Sequence, residues 1–164
     1  MRWATVVAGV VLLAGCVATG AVYTPAPIPA VGDALVYIYR LEGSGLKTRD
    51  AYFYVDDVNI VDLTQKGYTW FHVPAGNYTL KQKWPVDVTL GMKTLEAPVR
   101  WQAGRTYFYR LGVEQRLQYP MIVTEWRLQH VPEAEAMREL AECRLQPAGG
   151  LEKLLMQRQC LTCK

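Results

Sequence analysis

Pro74-Ala75-Gly76-Asn77 is a turn that leaves the chain around it few options. Proline presets the first turn dihedral, and Gly or Asn accepts a positive φ. The residues that follow alternate strictly. Tyr78, Leu80, Gln82 and Trp84 fall on one side, with Thr79, Lys81 and Lys83 on the other. A period of two with lysines outward describes a half-buried strand.

The same signals recur along the chain. Residues 34–40 are β-branched and aromatic and apolar on both faces, which predicts a central strand. Further strands are expected at 52–55, 59–63, 68–73, 97–101, 105–113 and 121–130. Residues 86–90 are expected to continue the Tyr78 strand after a bend at Pro85. Asp56-Asp57, Gly67 and Gln102-Ala103-Gly104 punctuate these runs. A loop is expected over 41–49, with Gly43-Ser44-Gly45 at its tip. Seven to eight short strands with no βαβ alternation predict a mainly β protein, an antiparallel β-sandwich over residues 32–131.

The period then changes. Pro132 suits a first helical position, and Glu133 and Glu135 suit a positive helix start. Met137, Leu140, Ala141 and Leu145 recur at helical spacing, and Pro147 to Gly150 stops the run. A second helix is expected from Leu151 to about Gln159. Residues 132–164 thus read as a short helical appendix.

At the other end, Met1 and Arg2 carry positive charge, 4–14 is apolar apart from Thr5, and Leu13-Ala14-Gly15-Cys16 closes the run. About 11 apolar residues are too few to span a bilayer core, which takes roughly 20. A charged start, a short apolar body and a small-residue exit describe a secretory signal over residues 1–15. The four closing residues resemble a bacterial lipobox. That resemblance implies cleavage between Gly15 and Cys16 and acylation of Cys16. Val17, not Asp, follows the cysteine, and by the same resemblance the expected address is the periplasmic face of the outer membrane. Several acyl chains make a durable anchor where one is marginal. Residues 16–31, with prolines at 25, 27 and 29, are expected to form an extended tether that holds the domain clear of the headgroups.

Without the leader, 17 of the 18 basic residues and all 15 acidic ones remain, and none of the basic residues form a block. Nucleic-acid binding therefore has no electrostatic support. With Cys16 given to lipid, Cys143, Cys160 and Cys163 are left in a compartment that permits disulfides. A bridge from Cys143 to Cys160 or Cys163 closes a loop of about 17 to 20 residues, worth near 3 kcal/mol in the chain-entropy account.

The series 34–40, Val55-Asp56-Asp57, Val61-Asp62-Leu63, 68–73, 74–80 and 103–109 resembles a group of bacterial lipoproteins carrying a domain of unknown function. Its turn-and-strand pattern is similar to PEGA-type and transthyretin-like sandwich modules. The resemblance spans about residues 33–113 and implies a sandwich and a surface anchor, with no catalytic residues. Asp57 stands where glycine is usual after the turn aspartate.

The chemical inventory is thin. Ser44 is the only serine and lacks the longer nucleophile-elbow pattern. His72 and His130 have no Cys or His at ligand spacing, and 56–62 lacks the glycine and terminal glutamate of a calcium loop. No metal or other cofactor is expected. Cys160-Leu161-Thr162-Cys163 lies at the extreme C-terminus with no thioredoxin-like unit before it. Trp70, Trp84, Trp101 and Trp126 suit either a sandwich core or an aromatic binding face. Trp84, Lys81 and Lys83 are the candidate binding surface. The expected function is non-enzymatic: display, from a lipid anchor, of a module that binds an envelope protein or polymer. An assembly subunit of a secretion machine, like the small sandwich lipoproteins of type VI secretion, is the alternative, with 41–49 as its contact loop. A periplasmic thiol oxidoreductase is the enzymatic rival.

Overall fold

A computed structural model describes residues 17–43, 48–85 and 94–162. The lipobox with Gly15 and Cys16, the loop tip at Ser44, the strand expected at 86–90 and Cys163 lie outside these residues.

The elements run β1 (Asp33–Arg40), β2 (Ala51–Val55), β3 (Val58–Leu63), β4 (Gly67–Pro74), β5 (Gly76–Lys83), β6 (Leu95–Trp101), β7 (Thr106–Gln118), β8 (Met121–His130), α1 (Glu133–Leu140), β9 (Arg144–Leu145) and α2 (Leu151–Thr162). Two sheets face each other. One has the order β8-β7-β1-β4-β9, the other β3-β2-β5-β6. This is a β-sandwich, but not a wholly antiparallel one. β1 runs parallel to β7, and β4 parallel to β9. The reason lies in the β6–β7 turn. Gly104, at φ 71°, donates its N–H to the Asp33 carbonyl, which feeds β7 in alongside β1 in the same direction.

β1 is the centre, as its two apolar faces predict. Ala34, Val36 and Ile38 point between the sheets, where they meet Phe53, Leu80 and Trp101. Leu35, Tyr37 and Tyr39 point to the opposite face and form a second core with Tyr68, Phe108, Ala136, Leu140 and Cys143. Fully burying one such aliphatic side chain stabilises by about 1.5–3 kcal/mol, so a strand buried on both faces is the natural organiser. The alternation in β5 holds too, with Tyr78, Leu80, Gln82 and Trp84 buried. Asp56 and Asp57 form the β2–β3 turn at φ 47° and 69°, aspartates in the conformation where glycine is usual.

Two flanking segments belong to the fold, against expectation. Residues 17–27 are extended but docked, not a free tether. Val17 pairs with Gln65, Val22 with Arg144, and Tyr23 packs on Tyr37 and Tyr68. Ala26 N–H donates to the Tyr37 hydroxyl at 2.8 Å. A row of prolines resists helix, and an aromatic face was there to receive it. At the other terminus, α1 stops at Leu140 rather than running to Leu145. Arg144 N–H donates to the Lys66 carbonyl and Gln146 N–H to that of Tyr68, so the edge of β4 captures residues that locally favour helix.

Candidate binding surface

The register places several features at one end of the five-stranded sheet. Tyr39 pairs with Tyr68 on one side and with Arg110 on the other. β1 ends at Arg40, opposite Leu111, while β7 continues to Gln118 and returns as β8. The β7–β8 ribbon therefore overhangs its own sheet. On its inward-continuing face Val113 pairs with Trp126 and Leu117 with Ile122. On the other face stand Glu114, Arg116, Glu125 and Arg127.

A cleft of about 540 Å³ lies at the root of this overhang. Arg40 and Leu41 wall it on one side, Arg110 and Glu114 on the second, Trp126 and Arg127 on the third. Arg127 is held 3.0 Å from Glu114 and 3.2 Å from Glu125. Arg40 is buried, donates to the carbonyls of Arg49 and Leu63, and lies 5.0 Å above the Trp84 ring. Burial lowers its pKa to about 10, and nearby Asp50 opposes that shift. The cleft thus combines cations, carboxylates and one indole, the chemistry of polar polymer or peptide binding.

From the wall of the cleft, Arg110 ties the sheet to α1. Its guanidinium donates to Glu135 at 2.8 Å, to Glu139, and to Gln129 at 2.9 Å. Tyr39 donates its hydroxyl to Glu139 at 2.6 Å. Burial and the Glu139 carboxylate both raise the Tyr39 pKa. Burial works against the charge on Arg110, but the two glutamates more than offset it and its pKa rises. Sequence reading missed this network. The i, i+4 spacing of Glu135 and Glu139 was the available signal, and it did not say which cation would meet them.

The expected binding residues are placed differently. Trp84 is no surface residue. It is buried edge-on against Trp126, 5.5 Å between ring centroids. Lys81 and Lys83 do face outward on the four-stranded sheet, but both are engaged. Lys81 sits 2.7 Å from Asp57 and 3.7 Å from Glu96, and Lys83 lies over the Tyr54 ring. The three do not form one surface, because β5 alternation sends the tryptophan inward and the lysines outward. Of the other tryptophans, Trp101 is buried in the core, donating to Tyr109 at 3.0 Å.

The Cys143–Cys160 bridge is not formed. Both are free thiols. Cys143 is buried in the second core, where its thiol donates to the Glu139 carbonyl, and Cys160 is exposed on α2, which packs against the other side of the sheet through Leu154. The pairing with Cys163 lies outside the described residues. Burial pushes the Cys143 thiol up to about 12, the opposite of what a reactive thiolate requires. His72 Nε2 is 3.0 Å from the Pro27 carbonyl, and His130 packs on Tyr107 and Tyr109. Among the described residues no group of three or more His, Cys, Asp or Glu is placed to hold a metal ion, and no helix is long and apolar enough to cross a membrane.

Residues 30–124 match the family described as Protein of unknown function (DUF2846), which takes in the sandwich from just before β1 into β8. No curated protein matches the sequence.

Proposed function

The chain belongs to the DUF2846 family, whose function is unknown, and from that premise we propose that it is a lipid-anchored lipoprotein of the cell envelope. It acts as a non-enzymatic binding module, and the cleft between Arg40, Arg110 and Trp126 is where it takes an envelope protein or polymer. Its sandwich is of the PEGA-type or transthyretin-like kind.

One observation carries the reading. The lipobox-like Leu13-Ala14-Gly15-Cys16 ends one residue before Val17, and Val17 is paired with Gln65 beside the cleft end of the sheet. Acylation at Cys16 would tie that end of the domain close to the bilayer surface. The docked 17–27 segment leaves no spacer, so display is short-range. An assembly subunit of an envelope machine is the second reading. It is favoured by Leu41, Glu42 and Gly43, the first residues of the 41–49 loop, which line the cleft.

Metabolic labelling with palmitate tests the anchor. The wild-type chain takes the label and is shortened, and Cys16→Ser remains unlabelled and at precursor length. Wild-type acylation of that variant overturns the reading. For the cleft, Arg127→Glu is expected to lower capture of the chain on isolated envelope fractions at least tenfold, and unchanged capture assigns binding elsewhere.

A further inference from the structure

The tip of the β7–β8 ribbon carries an apolar group that the core does not use. Leu117 is 77 % exposed and Tyr119 92 %, with Met121 and Ile122 also well exposed beside them. Leu117 and Ile122 are cross-strand partners on one face, and Tyr119 caps the turn. Scattered apolar side chains on a surface are ordinary, but four well-exposed ones, Leu117, Tyr119, Met121 and Ile122, gathered at the tip of one projecting ribbon mark a contact site.

We propose that this tip is a second membrane contact, a β-ribbon wedge that enters the headgroup region of the same bilayer that holds the acylated Cys16. The proposal rests on the lipid-anchor reading. Its own argument is positional. β4 is antiparallel to β1 and starts where β1 ends, so Gln65, just before β4, lies off the end toward which β7 overhangs. Val17 is bridged to Gln65, with Ala18 N–H donating to the Gln65 carbonyl at 3.0 Å. Val17, to which Cys16 is directly bonded, is thus held at that end. From Gly112 to Gln118 the ribbon extends on the order of 20 Å beyond the end of β1 at about 3.3 Å per residue. Val17 and the ribbon tip therefore lie toward the same end of the five-stranded sheet, the arrangement that one bilayer holding both contacts requires.

The side chains suit that place. Leu, Ile and Met supply apolar area, and Tyr is an apolar body with a polar tip, a residue type enriched at membrane interfaces. Arg116 and Arg127 are balanced by Glu114 and Glu125. Binding should therefore need no anionic lipid, unlike that of a polybasic patch.

The test uses the full chain in intact cells. Tyr119→p-benzoylphenylalanine is irradiated and its adducts identified by mass spectrometry, with Val31→p-benzoylphenylalanine, exposed beside the start of β1, as the control. Phospholipid adducts at position 119 at least tenfold above those at position 31 are expected, and adding Leu117→Asp with Ile122→Asp should remove them. Equal or absent lipid adducts at 119, or adducts to protein alone, overturn the proposal. Palmitate on Cys16 is read on the same molecules. Lipid adducts at 119 without palmitate would sink the anchor and leave the wedge standing. Palmitate without such adducts would sink the wedge alone.

Discussion

Gly20 lies directly against the backbone of Leu145, so close that a Cβ on residue 20 would fall inside the van der Waals contact of the Leu145 carbonyl oxygen. Two segments far apart in sequence, one before the sandwich and one after it, seal the same sheet edge. Leu145 N–H in turn donates to the Ala21 carbonyl at 2.9 Å.

Gly20→Ala is therefore expected to lift residues 17–27 off the sheet while the sandwich core stays folded. Small-to-large changes in tight contacts cost about 1–3 kcal/mol. Limited proteolysis should find a new cleavage site near Tyr23 in the variant, and hydrogen exchange should show lost protection at Leu145.

Arg110→Leu removes the cation that Glu135 and Glu139 share. The site is half-buried, between the small value of surface pairs and the larger cost of orphaning a buried charge, so about 2 kcal/mol of stability should be lost. A urea titration measures it. Glu135→Gln, whose carboxylate is the more exposed of the two, should cost less.

Thr69 points between the sheets, paired with Ile38, and its hydroxyl is buried with no hydrogen-bond partner among the described residues. A buried hydroxyl without a partner costs about 1–3 kcal/mol. Thr69→Val keeps the shape and removes the hydroxyl, so the melting temperature should rise.

Cys143 links stability to alkaline pH. Burial raises its thiol from 9.0 to about 12. The unfolded chain thus loses this proton first as pH rises. The stabilisation is whole below pH 9.0 and drains away between 9.0 and about 12. Urea midpoints at about pH 8 and about pH 11 should differ less in Cys143→Ala than in wild type. Some slope will persist, because burial also raises Tyr39 and Tyr109. Native thiol labelling should reach Cys160 and spare Cys143.

Much of the sandwich was legible because its signals are local. The alternation of Tyr78 to Trp84, the double-faced apolarity of β1 and the span of β8 all follow from residues within one strand's length. The site was less legible. Trp84 and Lys81 sit in the same short run on opposite faces of the alternation, and the packing of Trp84 against Trp126 shows what covers the tryptophan's face. The Arg110 cluster joins β1, β7, β8 and α1, residues separated by up to about a hundred positions, and no local pattern records that meeting.

What the residues determined unaided is the β-sandwich class, the positions of its turns and the helical character of the tail. Hydrophobic period, proline and glycine act over a few residues, and their effects survive in any context. What only the tertiary structure decided is which edges those pieces meet. The parallel seat of β7 beside β1, the capture of Arg144 and Leu145 by β4, and the docking of 17–27 all depend on backbone groups and aromatic faces supplied from far along the chain. A proline-rich run specifies an extended shape. It took the row of Tyr37 and Tyr68 on the outer face of the sheet to make it part of the fold.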